Sequence, residues 1–191
     1  MSSLTLIVAG DSDISDVQSD INQALGDVDV ASVELTGLFY INDKNRAGLT
    51  YTPDTSGAQH ANDWEVIADS NDNMTDLVDA TTSAIAKQQA NSATLVPTQL
   101  IVCYQNSKHR VLVALGPAKI VGVTGSDTYS IASFSKSKPS DLMTTVNDWL
   151  SKNSSISVVD TSYYYAKGDN RCWVLYTGSE TYTDGDLTPQ S

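Results

Sequence analysis

The chain has 191 residues, 40% of them apolar, enough for one compact domain or two small ones around a modest core. Asp and Glu total 23 against 11 Lys and Arg, a net charge of -12. That balance excludes broad contact with nucleic acid, whose phosphates need neutralising cations, and with an anionic membrane surface.

The first element is LTLIVAG, an apolar strand within the opening MSSLTLIVAGDSD. This opening has no basic segment, and its apolar run is too short for a signal peptide or a membrane span. The expectation is a cytoplasmic or virion protein that no signal peptide directs to secretion. DSD then reads as a helix cap, and Val17, Ile21, Ala24 and Leu25 draw one stripe along a helix. Strands follow over 31–41 and 46–52, joined at NDKN by a hairpin turn.

After the loop PDTSGAQHAND the same order returns. WEVIADS is a strand, NDN a cap, and Leu77, Thr81, Ala84 and Ile85 the helix stripe, with Thr81 its weak member. Strands over 98–105 and 109–115 flank NSK. PAKIVGVTGSDT leads on and has room for a short extra strand at Lys119–Val123. A third round begins with YSIASFS, KSK and Pro139, a residue suited to a first helical turn. Leu142, Val146, Trp149 and Leu150 form its stripe, and strands over 156–166 and 171–177 flank KGDN. SETYTDGDLTPQS closes the sequence as an arm or tail.

The three rounds match residue by residue. Tyr40, Tyr104 and Tyr165 share one position, and so do Arg46, Arg110 and Arg171, the only arginines of the chain. Internal repeats take precedence over other inferences about the fold. The expected fold is α+β: three tandem β-α-β-β repeats, at 2–53, 62–117 and 127–178, with a tail at 179–191, packed into one body with mixed or antiparallel sheets. A unit of this size is marginal alone, so the three should pack together, around a pseudo-threefold axis or edge to edge. The element order of one unit is similar to that of dodecins, small flavin-binding proteins that assemble into shells. Dodecins carry a flavin-stacking aromatic residue where this chain has VDVAS, TLVPT and SSISV, and no cofactor is expected.

Among candidate site residues the arginines come first. If the units surround an axis, Arg46, Arg110 and Arg171 converge and could bind a carboxylate or phosphate; otherwise each braces its own hairpin. Tyr40, Tyr104 and Tyr165 lie across the hairpins from them and read as interface residues or as plain sheet packing. DSDISD and TDGD resemble calcium loops but lack the closing positions, and capping is the better reading of the first. His60 and His109 fit no catalytic or metal spacing. Cys103 and Cys172 form no disulfide framework, which points to a reducing compartment; Cys172, beside Arg171, is the nearest thing to a reactive thiol. GVTGSD is followed by no phosphate-loop signature. No metal and no catalytic residue is expected. The expected function is non-enzymatic: a structural or interaction protein, an accessory component of a larger assembly such as a phage capsid or tail, with protein subunits as partners and homo-oligomerisation open. The alternative is a binding module for a small anion at a pseudo-threefold Arg/Tyr cluster.

Overall fold

The computed structural model describes residues 5–55, 64–92, 94–118 and 127–180. His60, the extra strand proposed at 119–123 and the TDGD segment lie outside the described residues. Among the described residues three helices and nine strands are formed, in the expected order. Unit 1 holds β1 (Thr5–Asp11), α1 (Ile14–Gly26), β2 (Val30–Ile41) and β3 (Lys44–Pro53). Unit 2 holds β4 (Glu65–Asn71), α2 (Met74–Asn91), β5 (Leu95–Gln105) and β6 (Lys108–Pro117). Unit 3 holds β7 (Tyr129–Lys136), α3 (Pro139–Lys152), β8 (Ser157–Ala166) and β9 (Asp169–Thr177). Among the described residues no helix is long and apolar enough to cross a membrane.

Each unit forms its own antiparallel sheet of three strands, with the third strand in the middle: β1-β3-β2, β4-β6-β5 and β7-β9-β8. The hairpins turn through Asn42-Asp43, Asn106-Ser107 and Lys167-Gly168, all with positive φ, the geometry whose twist matches that of paired strands. Gly168 meets this requirement without strain. The helices begin where the polar turns predicted. Asp13 Oδ1 accepts the Ser15 N–H at 3.0 Å and Asn73 Oδ1 accepts the Thr75 N–H at 2.9 Å. Lys138 makes no side-chain cap, and Pro139 follows it. Thr81 is fully buried in its stripe and donates its hydroxyl to the Leu77 carbonyl at 2.7 Å, which satisfies the one polar group on that face.

Residues of one strand alternate between the two faces of its sheet. On the first face, Ala47, Leu49 and Tyr51 of β3 pack toward α1, Val113 and Leu115 of β6 toward α2, and Val174 and Tyr176 of β9 toward α3. The second face has no helix of its own unit. In unit 2 that face carries Val66, Ala68, Leu112 and Ala114, which join the core of unit 1. In unit 3 it carries Ile131, Tyr164, Trp173 and Leu175, which join the core of unit 2. The units therefore stack in a row. Each presents a front, the bare sheet face, to the back of the unit before it; the back comprises the helix and the neighbouring part of the second strand. The substantial packing runs from α1 to β4, β2 to β5, α2 to β7 and β5 to β8.

Candidate functional site: the unit boundaries and the two ends

The boundary between units 1 and 2 is built from polar side chains set on exposed strand edges. Asn22 of α1 takes both backbone groups of Val66 on edge strand β4, accepting its N–H at 2.7 Å and donating to its carbonyl at 3.0 Å. Gln18, one turn earlier, accepts the Ala68 N–H at 2.8 Å. In the other direction Gln99 of β5 accepts the Leu35 N–H of β2 at 2.8 Å, and the Gln105 side chain accepts that of Tyr40. These bonds satisfy edge groups that would otherwise be buried without partners.

Arg110 lies at the centre of this boundary and is 2% exposed. Its Nε donates to Asn45 Oδ1 at 2.6 Å, its Nη1 donates to the Gln105 and Lys108 carbonyls, and its Cζ sits 4.2 Å from the centre of the Tyr40 ring. The donors of this guanidinium are thus largely committed to its own protein. Asn45 is buried as well and also donates to the Ser12 carbonyl at 2.9 Å, which ties the hairpin to the start of α1. Asn170 repeats this tie in unit 3, donating to Ser137 O at 2.9 Å. This repeat position is a buried tie between hairpin and helix.

The boundary between units 2 and 3 keeps the plan with other chemistry. Asp160 stands where Gln99 stands and accepts the Leu100 N–H at 2.8 Å; Ser162 accepts that of Val102 at 2.9 Å. Arg171 lies 2.9 Å from the Met74 sulfur and 3.9 Å from the Asp169 carboxylate, while its Nε finds no hydrogen-bond partner among the described residues. His109 occupies the position of Asn45, is 1% exposed and shares a 3.0 Å hydrogen bond with the Tyr164 hydroxyl. Burial, then repulsion by Arg171 and Lys167, pushes its pKa down to about 4, so the ring is neutral at neutral pH. Tyr104 packs on it with ring centres 4.7 Å apart.

The structure does not bring the three arginines together. Arg110 and Arg171 face the unit before their own and fill successive boundaries, and Arg46, at the same position in unit 1, is covered by no other described unit and is exposed. The alternative in which they converge on a threefold axis is not realised, because the described units stack in a row. The tyrosines divide the same way: Tyr40 and Tyr104 are covered at the two boundaries, whereas Tyr165 is 62% exposed at the far end. Cys172 lies on the opposite strand face from Arg171, and burial pushes its thiol pKa up; the neighbouring cation does not activate it. Cys103 is pushed up to about 11 by burial despite the opposing effect of Arg110. No group of three metal-ligating side chains occurs among the described residues.

A cleft of about 350 Å³ opens at the first boundary, lined by Ser12, Asp13, Tyr40, Asn106, Lys108 and Arg110 among others. The exposed large apolar side chains among the described residues form two further groups. Leu6, Val8, Phe39 and Ile41 lie on the front of unit 1, and Met143, Val158, Tyr163 and Tyr165 on the back of unit 3, all between 46% and 64% exposed. Comparison of the chain with protein-family models, with curated proteins and with solved structures returns no match.

Proposed function

We propose that this protein is a non-enzymatic building block of a larger protein assembly, joined to other subunits through the two ends of its three-unit stack. The observation that carries this reading is the placement of the exposed apolar residues. Scattered apolar side chains are ordinary on a protein surface, but clusters confined to two opposite faces mark interaction sites. The polar boundaries support it too: their side chains are spent on holding backbone groups of the neighbouring unit. A virion, such as a phage capsid or tail, is the setting proposed from the acidic composition, rich in Asp, Asn, Ser and Thr. Cross-linking and mass spectrometry of the protein in its native setting test the proposal. Cross-links from the end faces to protein subunits are expected; a protein recovered free of any protein partner would overturn it.

A second reading rests on the cleft beside Arg110 and Lys108, where a small anion could meet two cations. The Asp13 carboxylate in the same wall and the committed donors of Arg110 weigh against it. Thermal-shift measurements with phosphate and carboxylate ligands decide it, since an anion that binds only the folded protein raises Tm progressively as its concentration exceeds Kd.

A further inference from the structure

Resting on the proposed function, we infer that the partner at each end is a second copy of this chain, joined head to tail: the front of unit 1 seats on the back of unit 3 of the next molecule, as unit 2 seats on unit 1 and unit 3 on unit 2.

The argument is positional. The exposed residues at the two ends are repeat equivalents of residues that meet inside the chain. Leu6 and Val8 of β1 correspond to Val66 and Ala68 of β4, which are 1% and 9% exposed because α1 covers them. Phe39 corresponds to Cys103 and Tyr164, both packed against the preceding unit. At the other end, Tyr163 and Tyr165 correspond to Leu38 and Tyr40, and to Val102 and Tyr104, all covered by the following unit. Met143 and Asn147 of α3 occupy the positions of Gln18 and Asn22, the two residues of α1 that hold the edge of β4.

The polar partners also recur across this unmade boundary. Asn147 is exposed and has the side chain with which Asn22 takes both backbone groups of Val66; the Leu6 backbone on edge strand β1 is its counterpart in a second copy. Glu34 is exposed and stands where Gln99 and Asp160 accept a strand-edge N–H. Arg46 stands where Arg110 stacks on Tyr40 and bonds Asn45. Its counterparts in the second copy are the exposed Tyr165 ring and Asn170, which is 6% exposed. An aromatic ring, a cation, a carboxylate and a paired amide are thus all placed at the two ends in the register that the internal boundaries use. Such an interface joins unlike surfaces, so it propagates to a closed ring or a filament according to the rotation from one unit to the next.

Sedimentation velocity and light scattering on the purified chain, from micromolar to millimolar concentration, test this. Association beyond a symmetric dimer is expected for a filament, or a single closed species for a ring. Val8→Asp disables only the front and Met143→Asp only the back; both side chains are solvent-exposed, so both variants should fold, with circular dichroism as the check. Each alone should be monomeric, and an equimolar mixture should give one heterodimer, because one intact front and one intact back remain. Either variant still self-associating, or a mixture that stays monomeric, overturns the head-to-tail geometry. A wild-type chain that is monomeric throughout also overturns it. If Val8→Asp then still abolishes cross-links to other proteins in the native setting, the broader reading as an assembly component survives with a different partner; if no protein partner is found there either, both fall.

Discussion

The central strands β3 and β6 occupy the same place in their sheets and have different surroundings. In β6, from His109 to Pro117, every residue is buried, whereas β3 alternates between buried and exposed or half-buried positions. The difference lies in what covers the front face. Where unit 1 covers β6, Leu112 and Ala114 stand; at the same positions in uncovered β3 stand Gly48 and Thr50. Unit 3 goes further, with Trp173 and Leu175, both fully buried. One strand pattern thus serves two environments, and the side chains on the front face report whether a neighbour is present.

Breaking this comparison at its largest contact should cost most. Trp173→Ala is expected to destabilise the protein by about 3–5 kcal/mol, while Thr50→Ala, at a front-face position in unit 1, should change stability by less than about 0.5 kcal/mol; denaturant titration measures both. The arginines should rank next. Arg110→Gln strips buried Asn45 and the Gln105 and Lys108 carbonyls of a charged donor and should cost about 2–3 kcal/mol. Arg171→Gln should cost less, because its Nε is unpaired, and Arg46→Gln should leave the monomer unchanged within about 0.5 kcal/mol.

Asn22→Ala should lose about 1–2 kcal/mol, through the freed backbone groups of Val66. Asn147→Ala should be neutral in the monomer by the same thermal or denaturant measurement and should weaken only association between chains.

A pH-dependent effect separates the two buried boundaries. His109 has a folded pKa near 4, below its ordinary value near 6.5. Between those values the unfolded chain binds a proton that the folded chain refuses, so stability rises with pH across that window and is lost on acidification through it. His109→Asn, which installs the residue of Asn45, should flatten this component of the pH profile. The comparison that checks it is the difference between the two proteins' unfolding free energies from pH 4 to 7, which removes the shared titration of carboxylates.

Much of the fold was legible because each unit states it independently. The helix stripe, the capping turns and the two-residue hairpins each have a local physical signature, and threefold recurrence separated signature from accident. The site was less legible. Asn22 lies off the apolar stripe of its helix, and nothing local distinguishes a side chain there bonded to the next unit's backbone from one bonded to water. The arginines were correctly grouped, but grouping by repeat position does not reveal whether the repeats close on themselves. One available signal was missed. RVLVALG in β6 is apolar almost without interruption, while RAGLTYT in β3 alternates. A continuous run marks a strand covered on both faces, and the contrast between these two segments already implied an open row with a bare first face.

Each three-stranded ladder is complete within its own unit, and neighbours touch through side chains rather than shared backbone pairing. Duplication or loss of one whole unit would therefore leave the strand registers of the others unaltered. The number of units is the property of this architecture that mutation can most readily change, with overall length and reach following from it.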